Sequence, residues 1–185
     1  MALFVTSDLH FGHKNLLKFC PDSRPFSSVE EMNEAIINRH NSLVSPQDTT
    51  YMLGDIAFCS GGDAAKMINR MNGKKILIVG NHDKANLKQP SFRAAFEEIR
   101  DYLSIRLPAF DNLKVCMFHF PIYSWDEQHY GSIHLHGHLH GKPTGLKGRI
   151  MDVGLDTNNC HPHRLEDVVK EMLAIQFKNE WKDGK

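Results

Sequence analysis

No stretch of this chain stays apolar for more than a few residues, far short of the roughly 20 needed to span a bilayer. The start, Met1-Ala2-Leu3-Phe4-Val5, lacks the basic flank and the length of a signal peptide and runs directly into a strand-like segment. The expectation is a soluble, cytoplasmic protein with no membrane partner. An excess of one charge sign is missing too. Lys plus Arg and Asp plus Glu number 22 each, so no global field draws in polyanions and no basic stripe marks a duplex-binding surface. Cysteine is sparse: Cys20, Cys59, Cys116 and Cys160 lie far apart, with no CxxC pair. That spacing argues against a structural zinc module or a disulfide framework and for four reduced thiols. Repeats, linkers and long charge runs are absent as well. What remains, 185 residues with 41% hydrophobic content, suits one domain spanning 1–185.

Histidine is what the chain has in plenty: 12 residues, four of them between positions 134 and 140. Their placement follows a rule. The apolar run 76–79 ends in Gly80-Asn81-His82-Asp83, and in α/β folds a rigid strand stops where the reactive groups begin. The run 3–6 ends in Ser7-Asp8-Leu9-His10, where Asp8 and His10, two apart on extended backbone, point the same way. The run 49–53 ends in Gly54-Asp55, the run 113–118 in His119, and the run 132–136 in Gly137-His138-Leu139-His140. Taken singly, His119 reads equally as a core histidine, Asp55 as a helix cap and the 134–140 tract as a solvent loop. Five such coincidences at the same structural position point instead to one site.

Further strands are expected at 103–107 and 149–153, and a helical patch at 16–19. Ser27 and Glu30 have the spacing of a capping box opening a helix that ends near Leu43. Asp63 is expected to cap a helix running to Met71, with Asn72-Gly73 as its left-handed stop. Residues 91–101 read as another helix. A last helix is expected from about Arg164, after Pro162, with Leu165, Val168, Val169, Met172 and Ile175 at helical spacing.

So many ligand-type side chains exceed the needs of one tetrahedral ion. Oxygen and nitrogen donors without sulfur favour manganese, iron, zinc or nickel. Two such ions ~3.5–4 Å apart are a device for displacement at a phosphoester.

The order DxH, GD, GNHD, H, GHxH over residues 7–156 resembles the calcineurin-like metallophosphoesterases. The phrases Ser7-Asp8-Leu9-His10-Phe11-Gly12-His13 and His134-Leu135-His136-Gly137-His138-Leu139-His140-Gly141 resemble a small subgroup found in bacteria and phages. The resemblance implies an α/β fold (α+β in some schemes), a four-layer αββα sandwich of two mixed β-sheets flanked by helices. It implies two divalent metal ions, manganese foremost, with Asp8, His10 and His140 on one, Asn81, His119 and His138 on the other, and Asp55 bridging. His82 would stand over the phosphoryl group as general acid or charge stabiliser, with Asp83 holding its ring. The implied activity is a phosphodiesterase or phosphatase acting on small, nucleotide-like phosphoesters, with in-line attack on phosphorus by metal-activated hydroxide. The alternatives are a nuclease of the same family, which leaves nucleic acid open as a partner, and a non-catalytic metal-binding scaffold. Scaffolds lose ligands or the His82 equivalent, and this chain has kept both. The pattern carries no signal of oligomeric state.

Outside these motifs, His13, Asn15 and Arg24 are candidates for contact with a substrate phosphate. Trp125, His129 and Tyr130 are expected to pack on the fold rather than stack on a ligand. His134 and His136 are expected in the core or behind the ligands, and Asp156 to orient a ligand histidine.

Overall fold

Strand β1 (Leu3–Thr6) lies near the middle of a five-stranded sheet. It pairs parallel with β2 (Thr49–Met52), which pairs parallel with β3 (Lys74–Ile78), followed by β4 (Glu98–Arg100) at one edge. At the other edge the two-residue β9 (His163–Arg164) runs antiparallel to β1. The second sheet, ordered β5 (Tyr102–Leu107), β6 (Leu113–Phe118), β7 (Ile133–His136) and β8 (Ile150–Asp152), opens with an antiparallel pair and continues parallel. Both sheets are therefore mixed. The computed structural model describes residues 1–176, so the end of the expected domain, 177–185, lies outside the described residues. Among the described residues no helix is long and apolar enough to cross a membrane.

Alternation along the strands separates two cores. Val5 and Tyr51, partners in register, belong with Ile78, Val115, Met117, Ile133 and Leu135 to the cluster between the sheets. Met52 and Leu77, also partners, face the other way and join the helices. These helices are α1 (Leu16–Phe19), α2 (Val29–Leu43), α3 (Gly61–Ile68) and α4 (Pro90–Arg93). Met32, Ile36 and Ile37 of α2 follow helical spacing and are buried. Each contributes ~1.5–3 kcal/mol by leaving water. The final helix, α5 (Leu165–Ala174), sets Leu165, Val168, Val169 and Met172 into the cluster between the sheets. On the far face of the second sheet, the loop before β7 lays Trp125 over His134, ring centroids 5.3 Å apart. All four cysteines are free.

Three helix expectations need correction. The cap of α2 is Ser28, whose hydroxyl accepts from Glu31 N, while the Glu31 carboxylate reaches back to Ser27. The box thus sits one residue later than the Ser27/Glu30 spacing suggested. Ser60, not Asp63, caps α3, which stops at Ile68 rather than Met71. Residues 91–101 are mostly not helical: only Pro90–Arg93 forms a turn of helix, and Glu98–Arg100 pairs with Ile76–Ile78 as an edge strand.

The topology gathers the site. Because β1, β2 and β3 are parallel, their carboxyl ends share one edge, and those of parallel β6 and β7 share another. A bridge between Ser7 and Gly154 stitches the two edges together. Leu155 N donates to Ser7 O across the same seam at 3.0 Å.

Candidate metal centre

Loops after β1 and β2 are zipped by backbone bonds, Asp8 N to Gly54 O and His10 N to Asp55 O, each 3.0 Å. Close packing needs glycine here. A Cβ on Gly80 would lie 2.4 Å from Asp55 Oδ1, and one on Gly137 would lie 2.4 Å from Asp8 Oδ2. Asp8, His10, Asp55, His138 and His140 all adopt left-handed backbone, with φ between 51° and 71°.

The expected ligands converge as two groups. Asp8, His10 and His140 form one, and Asp55, His119 and His138 the other, with ligand atoms in each within 4.8 Å of one another. Asp8 Oδ1 stands 3.6 Å from His10 Nε2 and 3.9 Å from His140 Nε2, while Oδ2 accepts from His138 N at 2.9 Å. Asp55 faces both groups. Its Oδ2 lies 3.8 Å from His10 Nε2 and its Oδ1 lies 3.5 Å from His119 Nε2. His119 Nδ1 is 2.6 Å from Leu53 O, an acceptor, so Nδ1 carries the proton and Nε2 turns into the centre, 3.0 Å from Asn81 Oδ1. A further cluster of Cys20, His140 and Asp156 shares His140, but its carboxylate is committed to Arg24 and Ser23.

The donor set fits divalent metal ions. Among the described residues, Asp8 Oδ1 and both ring nitrogens of His10 are buried without a hydrogen-bond partner. Leaving such atoms unsatisfied costs ~1–3 kcal/mol each, and a cation at the centre of the group answers those that face it. Burial acts to raise the Asp8 carboxyl, but the imidazoles of His10, His140 and His119 outweigh it and hold it below its usual value. Asp55 is likewise held low against burial, by His119, His82 N and His10. Burial pulls the His140 imidazole down, and Asp156 and Asp8 more than restore it.

The other expected residues divide. His82 stands at the mouth, its side chain 45% exposed and its Nε2 3.8 Å from Asp55 Oδ2. Asp83 does not hold the His82 ring as expected; its carboxylate accepts from the backbone amides of Asp55, Ile56 and Gly80 and ties the loops after β2 and β3. Arg24 cannot meet a substrate phosphate as expected, since its side chain is fully buried, bonded to Asp156 and to Asp8 O. Asp156 in turn bonds His140 Nδ1 at 2.8 Å. Asn15 is exposed ahead of α1 and outside the cleft lining, whereas His13 lines the cleft. His134 and His136 are buried, bonded to backbone carbonyls. Trp125 is buried, its indole N–H on Ser132 O, while Tyr130 is exposed beside His129.

The cleft over the two groups has a volume of about 480 Å³. Sequence reasoning missed two of its walls, Phe19 and Phe58. Phe58 follows Asp55 by three residues, the one local signal that it belongs to the site.

A family model for calcineurin-like phosphoesterases matches residues 1–183. An uncharacterized protein of Methanocaldococcus jannaschii, MJ1445, is 30% identical, the alignment covering 91% of this chain and 89% of that one. The gene 66 protein of Mycobacterium phage L5 is also 30% identical, over 83% of this chain and 86% of its own. Among solved structures, a protein of unknown function from Aquifex aeolicus, AQ665, shares the fold with TM-score 0.72 and 23% identity, covering 92% of this chain and 98% of that one. With the motifs, the two mixed sheets and a match over nearly its whole length, the chain belongs to the calcineurin-like phosphoesterase family.

Proposed function

We propose that this protein is a two-metal phosphoester hydrolase acting on small phosphoesters, as a phosphodiesterase or phosphatase. The observation that carries the reading is the Asp55 carboxylate facing two groups of nitrogen and oxygen donors, beside buried donors that have no partner. Asp8, His10 and His140 would hold one ion, Asn81, His119 and His138 the other, with Asp55 between them. Such ions, when bound, generate a hydroxide nucleophile and neutralise charge on phosphoryl oxygens. Manganese is the first metal to test, and iron, zinc and nickel suit the same donors.

The remaining roles belong to the chain itself. His82 reaches over the mouth and donates a proton or a hydrogen bond to a phosphoryl or leaving oxygen. Its backbone N–H is held by Asp55 Oδ1 at 2.9 Å, which couples the position of the acid to the shared carboxylate. Asp83 fixes the two loops that carry Asp55 and His82, and Arg24 with Asp156 fixes His140. The cleft that His82, His10 and Asp55 line is the route by which the substrate reaches the centre.

The test is to strip the protein of metal, add manganese back, and compare a nitrophenyl phosphate diester with the monoester, running Asp55→Asn in parallel. Hydrolysis that needs both the metal and Asp55 supports the reading. Two bound ions with no hydrolysis of either ester would overturn it in favour of a scaffold.

A further inference from the structure

The cleft has two unlike walls. One is built from the candidate ligands. The other carries two phenyl rings that stay open to solvent: Phe19 is 71% exposed and Phe58 41% exposed. Helix α1 buries Leu16 alone, so Phe19 contributes nothing to the core. Phe58 is held in place by its own backbone, Phe58 N donating to Phe11 O at 2.8 Å, and not by burial of its ring. Scattered exposed apolar side chains are ordinary on a protein surface. These two, however, line the same cleft as Asp55 and His82.

They also form a continuous strip. Phe58 lies face to face with His13, centroids 3.8 Å apart and planes within 12°, and Phe19 meets the same imidazole edge-on at 6.3 Å. The Phe58 ring also lies tilted toward His82, centroids 4.4 Å apart, and His10, 5.1 Å apart. The aromatic wall therefore begins one ring away from a candidate ligand and runs outward along the cleft. Lys142 stands on the same lining, a cation suited to a further anionic group.

Resting on the hydrolase reading, we infer that Phe58 and Phe19 form a stacking platform that selects phosphoesters bearing a planar ring close to phosphorus, such as nucleotide esters, over those bearing only a sugar or alkyl group. A flat ring gains dispersion and excludes water on a phenyl face, whatever its hydrogen-bonding pattern. The platform thus chooses a chemical class without reading one base. A saturated sugar of equal charge offers no flat π-face and stacks less strongly.

The experiment compares three ligands on the manganese-loaded protein by calorimetry: adenosine 5′-monophosphate, ribose 5-phosphate and inorganic phosphate. Stacking of one base predicts that adenosine 5′-monophosphate binds about tenfold more tightly than ribose 5-phosphate. In Phe58→Ala and in Phe19→Ala this gap shrinks to about twofold or less, with phosphate binding unchanged, while Phe58→Trp keeps it. Phe19→Ala removes an exposed side chain, so a loss there is not a folding defect. Equal binding of the two organic phosphates with both rings in place, or no binding of either, overturns the platform. So does equal weakening of all three ligands in Phe58→Ala with no effect of Phe19→Ala. The titrations are run in the His82→Ala background, which keeps the donor groups but turns over slowly, so that they read binding. Ring preference in a protein whose wild type hydrolyses no ester would overturn the hydrolase reading and leave the platform standing.

Discussion

Arg24 meets Asp156 through two bonds, Nε to Oδ1 at 2.9 Å and Nη2 to Oδ2 at 2.8 Å, with both side chains out of contact with water. The pair stands behind His140, and a third Arg24 bond, to Asp8 O, fixes the backbone of a second candidate ligand. Breaking one partner of a buried pair leaves the other uncompensated, at a cost of ~3–5 kcal/mol. Arg24→Met is therefore expected to unfold at markedly lower urea concentration than wild type. On the two-metal reading, its affinity for manganese at the His140 group should fall about 10–100-fold, the range for supporting partners of metal ligands. Arg24→Lys, which keeps the charge but not the fork, should fall between the two. Equal loss of both ions in a fully folded Arg24→Met would refute the link to His140.

His82 and Asp55 should separate in their consequences. His82→Ala leaves the donor groups intact, so metal content is retained while hydrolysis slows by about 10²–10⁴-fold. Asp55→Asn removes a charge facing both groups and should lose metal as well as activity. Metal analysis by atomic emission, alongside the rate, distinguishes them. Matching metal loss in the two variants contradicts the separate roles.

Gly80 is packed against backbone. A Cβ there would lie 2.5 Å from Asp55 N as well as 2.4 Å from its Oδ1, so neither neighbour moves without dragging the loop. Gly80→Ala is expected to cost ~1–3 kcal/mol and to weaken metal binding together with stability. Denaturation with and without manganese measures both effects in one series. A variant as stable as wild type would show that the loop yields freely.

His40 gives the fold an acid limit away from the site. Its Nε2 lies 3.0 Å from Asn72 O and its Nδ1 is buried without a partner among the described residues, so a second proton would find no acceptor there. Burial is the main cause that pushes its imidazole from 6.5 down to about 4, the Asn72 carbonyl acting the other way and the Lys75 charge in the same direction as burial. The folded value lies below the unfolded one, so the neutral ring's stabilisation is full above pH 6.5 and is lost as pH falls toward 4. Over that window this one group should add a slope of up to ~1.4 kcal/mol per pH unit to the unfolding free energy. Urea titrations at several pH values should show a shallower acid limb in His40→Gln than in wild type. Identical limbs would exclude His40 from the acid transition.

The candidate site was legible because its residues announce themselves locally: short apolar runs ending at Asp8, Asp55, Asn81, His119 and His138 need only parallel pairing to meet. What stayed hidden depends on distance. Arg24 and Asp156 are 132 positions apart, and neither neighbourhood hints at the other. Asp83 follows His82 directly, yet its carboxylate turns back to amides of another loop, a choice only the packed fold dictates. Residues 91–101 misled because Phe92, Ala95, Phe96 and Ile99 carry helical spacing, whereas pairing with Ile76–Ile78 decides the last of them. The two residues of β9 are too few to leave a periodic trace.

The left-handed backbone at Asp8, His10, Asp55, His138 and His140 has a consequence for the life of the protein in a cell. Left-handed conformations strain side-chain-bearing residues, and here the strain sits together with like charges and unsatisfied donors. Bound ions that favour the folded chain alone add RT ln(1 + [L]/Kd) to its stability. On the two-metal reading, a chain made when divalent metal is scarce is the form most open to proteases, and its abundance is expected to follow metal supply even where its synthesis does not.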